Sequence, residues 1–238
     1  MELYIIRHGQ SHNNALQDPR DRVCDPPLTD IGRQQAVLLS AYLKRRADFS
    51  GRSEVWFYKN RHGYDFTRLY CSPMLRALET AEPIGQALGL APYIWVDLHE
   101  HGGIFLDHGD GRGPVGYPGL TREEIAARFP AYEIPEDITS QGWWNRPIET
   151  EAEWTARAAR VASQLWDRFG ETDERIALVT HGGCINSLLC KLFHDIPIGA
   201  VAFSHQNTAI SRVDWNEEGR IVLRYLNRIE HLPAEFVT

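Results

Sequence analysis

The sequence predicts an α/β protein: a three-layer α/β/α sandwich around a mostly parallel central sheet. Two observations lead there. Short apolar runs rich in β-branched and aromatic residues alternate with longer stretches whose apolar residues recur at helical spacing. The strongest two of those short runs each end abruptly in a histidine followed by glycine, at Arg7-His8-Gly9 and at Thr180-His181-Gly182-Gly183. Ligands of open α/β sheets bind at such carboxyl ends of strands.

Taken in order, Leu3–Arg7 is a buried strand, and Thr29–Arg46 is a helix with a Thr or Asp cap and an apolar stripe of Ala36, Leu39 and Leu43. Arg68–Ser72 is the next strand. It turns through Ser72-Pro73 into the Ala/Leu-rich helix Met74–Leu88, with Ser72 as its cap, Pro73 at its first position and Gly89 as its stop. Pro92–Val96 is a third strand, with Asp97-Leu98-His99-Glu100 just after it. Thr121–Arg128 reads as a short helix. Glu151–Phe169 is a longer one, ending at Gly170, with a core stripe of Trp154, Ala158, Val161 and Leu165 that needs no functional role. The strand Arg175–His181 precedes the helix Gly183–Phe193. Thr208–Trp215 and Arg220–Asn227, separated by Asn216-Glu217-Glu218-Gly219, form a hairpin that adds antiparallel edge strands.

Neither an internal repeat nor a low-complexity linker divides the 238 residues, so a single domain over 1–238 is expected. Two regions are irregular: a polar, aromatic excursion at 49–67 and a Gly- and Pro-rich lid or substrate loop at 101–150, which carries Trp143 and Trp144. The net charge of −7 argues against a nucleic-acid binder but allows a local basic pocket. The four cysteines form no CxxC pair, which disfavours a disulfide framework or a structural zinc site and makes a reducing, cytoplasmic setting the expectation. No signal peptide and no run of membrane-spanning length is visible. A sheet edge would allow a homodimer.

Phosphoryl transfer through histidine needs the groups these strand ends supply. A neutral imidazole serves as nucleophile, arginines clamp equatorial oxygens, a second histidine stabilises charge, and a carboxylic acid protonates the leaving group. The tripeptide alone decides little, since Arg61-His62-Gly63 repeats it without a strand.

The segments Leu3–Asn14, Pro27–Ala36, Ser72–Ala81 and Leu178–Gly183 together resemble the histidine phosphatase superfamily, the phosphoglycerate-mutase-like family, in order from Met1 to about Asn227. The resemblance implies a phosphoglycerate-mutase-like fold and a metal- and cofactor-independent phosphomonoesterase acting on a small phosphorylated metabolite. By position, His8 would become the phosphohistidine. Arg7, Arg76 and His181 would complete the phosphate pocket, and Asn14 would lie near the phosphate. Glu100 matches the acid/base position, with Asp107 and Asp110 as alternative carboxylates. A cofactor-dependent mutase and a non-catalytic phosphate-binding module on the same fold are the competing readings. A metallophosphoesterase built on His99, Glu100, His101, Asp107, His108 and Asp110 is a third.

Overall fold

The computed structural model describes residues 1–45, 64–193, 196–197, 200–215 and 219–238. In chain order its elements are β1 (Glu2–Arg7), α1 (His12–Ala15), α2 (Asp30–Lys44), β2 (Arg68–Cys71), α3 (Leu75–Leu88), β3 (Tyr93–Ile94), β4 (Phe105–Asp107), β5 (Pro114–Gly116), α4 (Arg122–Arg128), α5 (Glu151–Phe169), β6 (Arg175–Thr180), α6 (Gly182–Leu192), β7 (Ile210–Trp215) and β8 (Ile221–Arg228).

Six strands form one sheet in the order β3-β2-β6-β1-β7-β8, while β4 and β5 make a separate two-stranded ribbon. Strands β3, β2, β6 and β1 run parallel; β7 and β8 are added antiparallel, as the hairpin reading expects. β1 explains the layering by itself. Its side chains alternate between faces. Tyr4 and Ile6 join the core under α2 and α3, whereas Leu3 and Ile5 join the core under α5 and α6. A strand covered on both faces must be apolar throughout, and Leu3, Tyr4, Ile5 and Ile6 are all fully buried. Helix α2 is capped by Thr29, whose side chain accepts from the Gly32 N–H, and its stripe of Ala36, Leu39 and Leu43 is buried as expected. Each such leucine contributes roughly 1.5–3 kcal/mol by leaving water.

Some boundaries differ from the sequence reading. The helix after Ser-Pro begins at Leu75 with Met74 as its cap residue, because Ser72 Oγ turns to accept the Met74 N–H at 3.2 Å and face His181. The strand expected over 92–96 is only Tyr93–Ile94, and a 3-10 turn, Val96–Leu98, leads into Glu100. β7 starts at Ile210 because Thr208 holds a left-handed φ of 59°. On α5 the buried face includes Arg157, while Trp154 is half-buried and stacks on His101 at 4.5 Å between ring centroids. In the 49–67 excursion, Tyr64 and Phe66 pack against Tyr4. The rest of the excursion, including Arg61-His62-Gly63, lies outside the described residues except for 65 and 67, as do Arg46 and residues 216–218 of the hairpin turn. Among the described residues no helix is long and apolar enough to cross a membrane.

Candidate active site

Strands β1 and β6 are neighbours, with Arg7 in register with Thr180. The His8 N–H donates to the Thr180 carbonyl at 2.9 Å, carrying the pairing one residue past the strand. His8 and His181 therefore leave the sheet side by side, with ring centroids 5.0 Å apart. Gly9 is needed for close approach: a Cβ there would sit 2.6 Å from the Gly32 carbonyl oxygen at the start of α2. From the other side, Asn207 Nδ2 donates to the His8 carbonyl at 2.9 Å, and the Thr208 N–H donates to the Arg7 carbonyl at 3.0 Å. Thr208 is a β-branched residue in the left-handed region, a strained backbone at a point where the site is being fixed.

His8 Nδ1 faces the Gly9 carbonyl oxygen at 2.6 Å, so the proton sits on Nδ1. The Nε2 lone pair is left for the Arg76 Nε–H, which donates to it at 3.2 Å. Burial, then the Arg76 and Arg7 charges, hold the imidazole well below the usual histidine range, against the opposing pull of the Gly9 bond. The ring is neutral at ordinary pH, as a nucleophile must be.

Arg76 is almost buried, with an Asp25 carboxylate oxygen 3.7 Å from its NH1. Asp25 also accepts from the Leu75 N–H at 3.2 Å, covering the start of α3. Reciprocally, Glu79 of α3 accepts the Leu28 N–H at 2.7 Å, so the 25–28 segment and α3 are tied twice. Burial lifts the Asp25 carboxyl to about 6 although Arg76 pulls it down. Arg7 donates from NH1 to the His205 carbonyl at 2.6 Å, while its buried Nε has no partner.

His181 is fully buried, with Nε2 2.7 Å from Ser72 Oγ and Nδ1 without a partner. Burial, then Arg76 and His8, holds it well below the usual range. Glu100 lies at the start of α6 and accepts N–H groups of His101 at 2.9 Å, Cys184 at 2.9 Å and Gly183 at 3.1 Å. A helix N-terminus is where an anion is favoured. Asn14 uses Oδ1 to accept from the Ser11 N–H at 3.1 Å and Oγ at 3.0 Å, bracing the turn of α1.

A cavity of about 390 Å³ is lined by His8, Arg7, Asn14, Arg76 and Glu100. His181 stands beside His8 but is not among the residues that line the cavity. Arg22, His101 and Asp107 line the remainder together with Val23, Phe105 and Leu106. Asp110 instead pairs with Arg112 at 2.6 Å on the exposed loop. The histidine-rich stretch also diverges: His99 is buried against Trp143 and Trp144, and His108 faces the Tyr117 hydroxyl. Among the described residues no group of three or more His, Cys, Asp or Glu side chains is placed to hold a metal ion.

Sequence reasoning missed Asp25, Ser72 as a partner of His181, Arg22 and Asn207. The carboxylate before Pro26-Pro27 was the one local signal for Asp25; Asn207 had none, since its contact with His8 spans 199 positions.

The family model of the histidine phosphatase superfamily (branch 1) matches residues 3–52 and 56–228. The chain belongs to that superfamily. Over 242 residues it is 23% identical to phosphoserine phosphatase 1 of Hydrogenobacter thermophilus, covering 100% of this chain and 97% of that protein. A shorter match, 31% identical over 104 residues, links it to a PE-PGRS family protein of Mycobacterium tuberculosis; it covers 43% of this chain but only 15% of that protein. The solved structure of a mycobacterial glucosyl-3-phosphoglycerate phosphatase in complex with VO3 superposes with a TM-score of 0.57 at 21% identity, over 95% of this chain and 98% of the other. The three-layer α/β architecture is thus shared.

Proposed function

We propose that the chain hydrolyses phosphomonoesters of small phosphorylated metabolites through a phosphohistidine on His8. The observation that carries this reading is the His8 tautomer: Nδ1 is spent on Gly9, and the Nε2 lone pair faces the Arg76 guanidinium in the cavity. The lone pair attacks phosphorus and the bond to the leaving oxygen breaks. The Glu100 carboxyl gives its proton to that oxygen. Arg7 and Arg76 hold the equatorial oxygens, and His181, whose proton sits on Nδ1 if the Ser72 hydroxyl donates to Nε2, supports their charge. Water then attacks the phosphohistidine and gives a proton to the Glu100 carboxylate. The N–P bond breaks, phosphate leaves, and the starting enzyme is restored. Asn14 braces the turn beside the phosphate.

The whole chain acts as one catalytic domain in this reading, in the cytoplasm; the free thiols of Cys24, Cys71, Cys184 and Cys190 agree with a reducing compartment. The test is His8→Ala assayed for phosphate release from p-nitrophenyl phosphate. Turnover should vanish while circular dichroism stays that of the parent. Residual activity near the parent level would overturn the mechanism. Running 3-phosphoglycerate through the same assay separates release of phosphate from mutase interconversion.

A further inference from the structure

Helix α5 carries an arginine on its core-facing stripe. The Arg157 side chain is 3% exposed and that of Glu149 is 1% exposed. They pair in two parallel bonds, Nε to Oε1 at 2.7 Å and NH2 to Oε2 at 2.6 Å. A buried ion pair is a poor way to gain stability, since apolar residues of similar volume would serve as well or better. What the pair touches next gives it a purpose. Arg157 NH1 donates to the carbonyls of Asp97 and His99, both at 2.8 Å, and the Glu149 N–H donates to the Gly102 carbonyl at 3.1 Å. These three carbonyls flank Glu100, that of Asp97 within the 3-10 turn Val96–Leu98 and those of His99 and Gly102 after it, in a stretch that belongs to no strand. Arg157 NH1 also lies 4.0 Å from Sγ of Cys184, whose N–H holds the Glu100 carboxylate. One guanidinium thus grips both the backbone that carries Glu100 and the helix end on which its carboxylate rests.

We propose that Arg157, locked by Glu149, is a positioning residue for Glu100. It sets where the proton donor stands without touching substrate. This rests on Glu100 being the proton donor. A lysine keeps the charge but lacks the planar fork that reaches Glu149 and two carbonyls at once.

The experiment uses the full chain and two probes. p-Nitrophenyl phosphate has a leaving group that departs without a proton, and glycerol 3-phosphate has an alkoxide that requires one. Arg157→Lys and the isosteric Glu149→Gln are assayed beside Glu100→Gln. In Arg157→Lys, kcat/KM for glycerol 3-phosphate, which reports only the steps up to departure of the leaving group, should fall by about 100-fold, the scale of general acid catalysis. Its kcat/KM for p-nitrophenyl phosphate and its inhibition by vanadate should change little. A purely structural role would lower both substrates alike and weaken vanadate in parallel, and that result overturns the proposal. If Glu100→Gln is selective for the alkyl ester but Arg157→Lys and Glu149→Gln are not, positioning fails while the acid role of Glu100 stands. If Glu100→Gln is itself unselective, the acid role fails and the proposal with it. Should Arg157→Lys not fold, the same comparison on Glu149→Gln decides.

Discussion

Arg76 Nε donates to His8 Nε2 at 3.2 Å, so in the proposed mechanism the cation that would clamp a phosphate covers the lone pair that would attack it. In that mechanism an arriving phosphate must draw the guanidinium onto its own oxygens before His8 can react. Two charge-assisted bonds to a dianion outweigh one neutral contact to an imidazole. The exchange works only for a group that can release one donor while keeping others.

Arg76→Lys tests that exchange. An ammonium cannot span two phosphate oxygens as the guanidinium fork does. The expected result is a fall in kcat/KM of about 100-fold or more, on the scale of losing an oxyanion donor, with vanadate inhibition weakened and secondary structure intact. Parent-level kcat/KM would place Arg76 outside the phosphate clamp.

Both active-site histidines should remain neutral in mildly acid solution. Burial comes first among the causes for each, followed by nearby cations. The shift is downward, so the folded rings take up protons only well below the unfolded value of about 6.5. Stability is therefore lost as pH falls beneath that unfolded value, because the unfolded chain binds the protons first. In an NMR titration the ring signals of His8 and His181 should stay flat through about pH 6, where an exposed histidine moves. Movement of either signal around pH 6.5 contradicts the electrostatics described.

Asp25→Asn should stabilise the fold at pH 8. Burial raises the folded carboxyl to about 6, above its usual range, so ionising Asp25 costs more in the folded chain than in the unfolded one. That cost is absent while both states hold the proton and grows as pH rises toward the folded value. Asparagine keeps an oxygen to accept the Leu75 N–H and removes the charge. Thermal unfolding should show a gain of roughly 1–3 kcal/mol at pH 8, shrinking toward zero near pH 4. A variant less stable than the parent at pH 8 would mean that the Arg76 contact outweighs desolvation.

Gly183→Ala addresses the seat of Glu100. An added Cβ would stand 2.6 Å from Glu100 Oε1 and 2.8 Å from His101 Nδ1, both side-chain atoms able to move aside. Helix α6 should therefore tolerate the methyl, and alanine is a better helix former by up to about 1 kcal/mol. Turnover of alkyl phosphates should nevertheless drop by about tenfold or more. Unchanged kcat on such esters would argue that the carboxylate need not sit where α6 holds it.

The sheet was legible because its strands are apolar on both faces and punctuated by glycine, as Leu3–Ile6 shows. His8, Arg7 and Arg76 were legible because each lies within a few residues of a strand end, where local pattern and site coincide. Glu100 was harder to place. Its segment is held not by a ladder but by Arg157 and Glu149, which lie 57 and 49 positions away in the sequence. Arg157 was read past altogether, since helical periodicity records only that a position faces inward and is silent on a charge that faces inward with it. Asn207 and Asp25 were hidden for the same physical reason: each reaches the candidate site through contacts made only after folding, Asn207 with the His8 carbonyl and Asp25 with Arg76, with no periodic trace in the chain.

The 5.0 Å between the His8 and His181 rings is close to the spacing of about 4.8 Å between adjacent strands. The β1–β6 ladder places the two residues side by side, and the contacts of His8 with Gly9 and of His181 with Ser72 orient the rings. The two imidazoles are brought together by the β1–β6 ladder, while the cavity beside them is lined by residues from several other segments of the chain.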